Sequence, residues 1–124
     1  MAKILVVDDS GLSRRTSRRI LESAGHAVAD AADGLTALEQ YSLDRPDLVL
    51  LDVTMAEMNG LEVLHQLRAM DPVAVVVMAT ADVQISTRAL AESGGAVGFV
   101  IKPFTADAVL QAVDGALTAK GGAK

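Results

Sequence analysis

Asp8 and Asp9 close the apolar run Ile4-Leu5-Val6-Val7, Asp52 closes Leu48-Val49-Leu50-Leu51, and Lys102 closes Val97-Gly98-Phe99-Val100-Ile101. Thr80 follows another run, Val73–Ala79. Runs of this kind read as buried parallel strands, whose C-terminal residues emerge together on one rim of a sheet. Three carboxylates gathered there repel one another, so one must take up a proton or the group must find a counterion. Magnesium suits such a set because it prefers oxygen ligands and keeps several waters. Mg²⁺ and the Lys102 ammonium together would neutralise the oxygens of an incoming phosphoryl group. A carboxylate so placed can attack phosphorus and form an acyl phosphate. Asp52 is the natural nucleophile, since it lies opposite the Asp8-Asp9 pair near the middle of the sheet, and the Thr80 hydroxyl could bond a phosphoryl oxygen. Taken singly, each residue has a plainer reading as a helix cap, a turn or a solvated loop residue. The weight lies in their collection at the same strand ends.

The elements that must deliver these residues follow from the rest of the chain. Five apolar runs, Lys3–Val7, Ala27–Ala31, Asp47–Leu51, Val73–Ala79 and Val97–Ile101, alternate with segments of helical period. Leu35, Leu38 and Tyr41 share one face, as do Leu61, Leu64 and Leu67, and later Val109, Ala112, Val113, Ala116 and Leu117. A fourth helix is expected over about Gln84–Ser93 and a fifth over about Thr105–Ala119. Alternating strand and helix means βαβ units and a parallel sheet covered on both faces. Ser10 is placed to cap the first helix, Asp33-Gly34 and Asn59-Gly60 precede the second and third, and Gly94-Gly95 can end the fourth in the left-handed conformation. Pro46 and Pro72 stand before the third and fourth strands, where a lost amide costs least. The fold expected is α/β: a doubly wound, five-stranded parallel sheet of order 2-1-3-4-5, flavodoxin-like. Its order reverses between strands 1 and 3, where ligands bind outside the carboxyl ends. That point coincides with Asp8, Asp9 and Asp52.

At 124 residues the chain fits one domain, expected over 1–119, with 120–124 a frayed tail. Hydrophobic residues make up 51% and aromatics 2%, so the core must be aliphatic. Cysteine is absent, which excludes disulfides and thiolate metal sites and allows a reducing cytosol. No apolar stretch approaches the roughly 20 residues that span a bilayer, and the chain enters a strand without a signal-peptide pattern. The reading is a cytoplasmic protein without membrane insertion. A net charge of −5 argues against non-specific nucleic-acid binding and is compatible with attracting a divalent cation.

At this point the chain resembles the receiver domain of two-component response regulators over essentially its whole length. The matching motifs are Val6-Val7-Asp8-Asp9-Ser10, Leu51-Asp52-Val53-Thr54-Met55 leading to Met58-Asn59-Gly60, Ala79-Thr80-Ala81, and Lys102-Pro103-Phe104. The resemblance implies that Asp52 accepts a phosphoryl group from the phosphohistidine of a sensor histidine kinase or histidine phosphotransfer protein. It implies that Asp9, Asp52 and the backbone carbonyl of Thr54 bind Mg²⁺ directly, with Asp8 acting through water. Lys102 would pair with the acids and then with the phosphoryl group, while Thr80 would swing in to bond it. Phe99 matches the aromatic that turns inward in the active state, and the Lys102-Pro103 bond is expected to be cis. Phosphorylation adds roughly −1.5 to −2 charge and three acceptor oxygens. Drawing Thr80 toward it would vacate space for Phe99 and change the face made by helix 4, strand 5 and helix 5. The resemblance implies a chain that catalyses its own phosphorylation and dephosphorylation yet acts as a switch rather than a metabolic enzyme.

The output expected is binding of a downstream target, most plausibly a flagellar motor switch as in chemotaxis regulators, by a free-standing receiver. The alternative is a phosphorelay shuttle that passes the group to a second histidine protein. Ala56 stands where the family often has proline, which implies a looser loop, and Thr54 and Asp82 occupy positions that tune dephosphorylation. Arg14, Arg15, Arg18 and Arg19 form two i,i+4 pairs on the first helix, read either as a solvated basic face or as a dock for an acidic partner, with Arg18 and Arg19 able to meet local acids. His26 and His65 lack metal-ligand spacing and are read as solvent-facing. A flavin carrier of the same strand order fits poorly, because Asp8-Asp9 would repel its phosphate and stacking aromatics are nearly absent. A metal-dependent aspartyl phosphatase would need an acid where Thr54 stands.

Overall fold

The structure, a computed structural model, describes residues 2–53, 55, 59–81 and 85–122. Five strands, β1 (Lys3–Val7), β2 (Ala27–Ala31), β3 (Leu48–Asp52), β4 (Val76–Thr80) and β5 (Gly98–Ile101), alternate with five helices. The helices are α1 (Gly11–Ser23), α2 (Gly34–Asp44), α3 (Gly60–Met70), α4 (Ile85–Ser93) and α5 (Ala106–Gly122). All strand pairs are parallel and the sheet order is β2-β1-β3-β4-β5, as the alternation and the apolar runs require. Every residue of β3 and β4 is buried, because both faces of the sheet carry helices.

The core divides by side-chain parity. Leu5, Val7, Val49, Leu51, Val76 and Met78 pack with Ala37 and Tyr41 of α2, Val63, Leu64 and Leu67 of α3, and Ala91 of α4. Ile4, Val6, Leu48, Leu50, Val77, Ala79 and Val100 pack on the other side with Leu21 of α1 and Val109, Val113 and Ala116 of α5. A one-residue shift of any strand would exchange these two sets, so the aliphatic pattern fixes the register.

Local signals fix the helix ends. Ser10, Asp33 and Asn59 each accept from the amide three residues on, Ser13, Thr36 and Glu62 respectively. Gly95, at φ +101°, ends α4, with its amide donating to Glu92 O and the Ala96 amide to Ala91 O. Arg45 turns left-handed at the end of α2, at φ 46°, a place the sequence does not mark because arginine has no special preference for it.

Several boundaries differ from the sequence reading; besides one-residue shifts at the ends of β3 and β4 and the start of β5, three have a visible cause. β3 starts at Leu48: Asp47 still donates its amide to Lys3 O at 2.7 Å, but the Lys3 amide is taken by the Asp47 side chain, at 2.8 Å from Oδ2, in place of a backbone carbonyl. β4 starts at Val76 rather than Val73, since Asp71 gathers the preceding residues into a turn, accepting from Val73 N and Ala74 N, and leaves Val73 exposed. α5 continues through Lys120 to Gly122, where a frayed tail was expected; Ala119 and Lys120 are good helix formers and carry the ladder on.

Tyr41 locks α2 to the end of α3. Its hydroxyl donates to Asp71 Oδ2 at 2.7 Å, and Arg45 pairs with the same oxygen at 3.3 Å. Burial, then the bond and charge of Asp71, push the phenol up to about 12. A raised pKa of this kind stabilises the fold fully below the unfolded phenol value, near 10, and the contribution is lost as pH rises through about 12. With a single tyrosine and no tryptophan, absorbance at the tyrosinate band isolates this group. The native protein should show no tyrosinate step near pH 10; a step there would contradict the Tyr41–Asp71 lock.

Candidate functional site

Asp8, Asp52 and Lys102 each stand two residues beyond a core residue of the α1/α5 side, Val6, Leu50 and Val100. Alternation along a strand therefore aims all three the same way. The pairing of Val7 with Leu51 puts Asp8 beside Asp52, and that of Thr80 with Ile101 brings Lys102 alongside the end of β4. The Lys102 amide donates to Thr80 O at 2.8 Å and the Lys102–Pro103 bond is cis, as expected.

The result is a tight acid cluster. Oxygens of Asp8, Asp9 and Asp52 lie within 4.8 Å of one another. Asp8 and Asp52 are buried, and Asp9 is exposed at the mouth. Lys102 Nζ lies 2.9 Å from Asp8 Oδ2 and 3.4 Å from Asp52 Oδ1. Burial would lower the pKa of this ammonium, but the hydrogen bond to Asp8 and the charges of Asp52 and Asp8 outweigh it and hold Lys102 above the ordinary lysine value. Lys102 therefore stays charged across the physiological range. Its ammonium also lies 5.6 Å from the centre of the Phe104 ring, which packs into the α1/α5 core.

Asp8 is held at four atoms. Its amide donates to Ala31 O at 3.1 Å, its Oδ1 accepts from Ser10 N at 2.9 Å, its Oδ2 accepts from Lys102, and its carbonyl accepts from Arg14 Nη1 at 2.7 Å. The last of these has no counterpart in the sequence reading, which places Arg14 on a basic face of α1 that is either solvated or a dock for an acidic partner. Three carboxylates against one ammonium leave the cluster net negative, with room for an oxygen-ligated cation. Replacing Lys102 by Met should lower stability in a chelator by about 1 to 2 kcal/mol, since a buried ionic partner is lost. Mg²⁺ should recover more of the melting temperature in Lys102→Met than in the parent chain. Equal Mg²⁺ shifts in circular-dichroism melts would contradict this role as internal counterion.

Thr80 is buried at the end of β4. Phe99 lies on β5 beside Met78, half-buried against the α2/α3/α4 core, and lines an open hollow of about 280 Å³ with Glu92, Ala96, Val97 and Gly98. Thr80 follows Met78 by two residues, so Thr80 and Phe99 belong to the same face of the sheet. Thr54 and Asp82, together with Ala56 and Met58, lie outside the described residues.

Gly60, at the start of α3, carries a demand that the sequence does not display. A Cβ there would collide with the Asp52 carbonyl oxygen and stand 2.7 Å from Val53 Cα. The Gly60 amide donates to Val53 O at 2.6 Å, so α3 is pinned against the backbone that carries Asp52. Elsewhere, Arg18 is paired with Glu22 at 3.3 Å and Asp30 at 2.9 Å, which withdraws it from a free basic face. His65 is exposed as read, but His26 is not solvent-facing: it is half-buried and its Nδ1 accepts from Ala2 N at 3.1 Å.

A family model described as the response regulator receiver domain matches residues 4–114. The chain belongs to that family. Among curated relatives, this receiver is 43% identical to the chemotaxis protein CheY of Listeria monocytogenes over 115 residues, covering 92% of this chain and 97% of that protein. It is 40% identical to the chemotaxis protein CheY of Bacillus subtilis, covering 90% and 94% of the two chains. Among solved structures, the chemotaxis protein CheY4 of Vibrio cholerae superposes on the receiver with a TM-score of 0.90 at 31% identity, covering 94% and 98%. A CheY-like receiver from Methanospirillum hungatei, 23% identical, shares the fold at a TM-score of 0.93. No helix among the described residues is long and apolar enough to cross a membrane.

Proposed function

We propose that this receiver, residues 1–119, is a cytoplasmic phosphorylation switch in which Asp52 is the phosphoacceptor. The observation that carries this is Asp52 itself: buried, within reach of two further carboxylates and 3.4 Å from Lys102. Asp52 attacks the phosphorus of a kinase or phosphotransfer-protein phosphohistidine. The P–N bond breaks, an acyl phosphate forms on Asp52, and the leaving imidazole takes a proton from solvent. The oxygen-rich donor set of Asp8, Asp9 and Asp52 fits Mg²⁺, which Asp9, Asp52 and the Thr54 carbonyl would hold directly. When bound, that ion supplies charge neutralisation at the transferring phosphoryl oxygens.

Asp8 would act on the ion through water, a role supported by both its carboxylate oxygens already accepting hydrogen bonds. Lys102 moves from the carboxylates to a phosphoryl oxygen without changing protonation, and Thr80 bonds another. Phe99 then turns into the space that Thr80 leaves, which alters the face of α4, β5 and α5 for a target. A protein of the flagellar motor switch is the target proposed, on the likeness to chemotaxis CheY proteins along nearly their whole length.

Incubation with Mg²⁺ and a small phosphodonor should add the mass of one phosphoryl group, and a chelator should prevent it. No gain under conditions that label other receivers would overturn the proposal. For the output, a motor-switch peptide should bind the phosphorylated form more tightly; equal affinity for both forms would remove the chemotaxis assignment.

A further inference from the structure

We propose that Arg14 is a positioning residue that sets the exposed carboxylate of Asp9 against the buried pair Asp8 and Asp52. The contact is a charge-assisted bond, 2.7 Å from Arg14 Nη1 to the carbonyl oxygen of Asp8. That carbonyl belongs to the peptide plane leading into Asp9. A peptide is planar, so holding its oxygen fixes where the Asp9 backbone begins. The remaining polar atoms of Asp8 are held by Ala31 O, Ser10 N and Lys102, none of which touches that carbonyl. Arg14 is half-buried, and its backbone is fixed by the first i→i−4 bond of α1, from its amide to Ser10 O at 3.0 Å. Its neighbour Arg15 is exposed and carries the same charge, yet no hydrogen bond links it to Asp8. Arg14 therefore acts in two opposed ways. Its charge disfavours a cation in the cluster, while its clamp orders the acids that would bind one.

The cation arm of the test rests on the Mg²⁺ reading above, and the exchange arm does not. Mg²⁺ affinity is measured by calorimetry on the full chain with Arg14→Ala, Arg14→Lys and Arg15→Ala, and amide exchange is followed at Ser10. Arg15→Ala measures the effect of lost charge alone. Relative to it, Arg14→Ala should bind Mg²⁺ about 10-fold more weakly, in line with the loss of an outer-shell partner. Arg14→Lys, which keeps a cationic donor, should recover most of the affinity. The Ser10 amide, which donates to Asp8 Oδ1, should exchange about 10-fold faster in Arg14→Ala than in Arg15→Ala, the effect of losing one hydrogen bond from the turn. Should Arg14→Ala fail to fold, Arg14→Gln, too short to span the same distance, replaces it with the same expectations. Arg14 and Arg15 variants that match within twofold in both measurements would overturn the clamp. Absent Mg²⁺ binding by the parent chain would defeat the Mg²⁺ reading and leave Ser10 exchange to decide the role of Arg14.

Discussion

Asp52→Asn should take up no phosphoryl group under conditions that load the parent chain. The amide removes the nucleophilic oxygen pair and one of the three carboxylates that gather within 4.8 Å. Neither neighbour replaces it: Asp8 has both carboxylate oxygens engaged by Ser10 N and Lys102, and Asp9 is exposed where Asp52 is buried. The same substitution should not destabilise the fold. It deletes one like charge from a net negative cluster, while Lys102 keeps its shorter contact, 2.9 Å to Asp8. Without Mg²⁺ the melting temperature of Asp52→Asn should equal or exceed that of the parent. With Mg²⁺ the ordering should narrow or reverse if Asp52 is a ligand of the ion, as proposed. Intact mass and paired melts read both effects. Phosphoryl gain in Asp52→Asn, or a large loss of stability without Mg²⁺, would contradict this reading.

Gly60→Ala should be the most damaging single methyl addition near the site. The new Cβ meets backbone, the Asp52 carbonyl and Val53 Cα, rather than the end of a flexible side chain. Backbone cannot rotate away, so α3 must lift or the strand end must bend. Overpacking of this type costs roughly 3 kcal/mol, or roughly 10 °C in melting temperature for a domain of this size. The bond from Gly60 N to Val53 O, at 2.6 Å, would lengthen with it. Gly115 provides the comparison, since a Cβ there meets nothing within 4 Å. Gly115→Ala in the interior of α5 should be neutral or stabilising by up to about 1 kcal/mol. Equal melting temperatures for the two variants would refute the close approach of α3 to β3.

How much of this was legible beforehand depends on the kind of signal. The sheet order and the convergence of Asp8, Asp52 and Lys102 follow from runs such as Leu48–Leu51, whose unbroken burial leaves parallel pairing as the solution. The cap at Ser10 was readable because a short polar side chain beside a periodic segment has one favoured use, whereas Asp33-Gly34 and Asn59-Gly60 were marked only as preceding their helices and turn out to cap them. Boundaries set by tertiary contacts were not. The Asp47 side chain takes the Lys3 amide at the start of β3, and Asp71 holds Val73 and Ala74 out of β4. Nor does composition reveal that Gly60 touches the Asp52 backbone, since a glycine after asparagine looks like an ordinary turn. Arg14 and Arg18 looked alike in a run of four arginines, yet one reaches the Asp8 carbonyl and the other is bound to Glu22 and Asp30. Periodicity places a side chain on a helix face; it does not say how far a long guanidinium reaches.

The claim on which the rest depends is that the acyl phosphate forms on Asp52. Borohydride reduces an aspartyl phosphate to homoserine, and peptide mass spectrometry locates the product. After Mg²⁺ and a small phosphodonor, homoserine should replace aspartate at position 52 and nowhere else. Reduction at Asp8 or Asp9, or an unreduced peptide spanning Asp52 from protein that carries the added phosphoryl mass, would contradict the account.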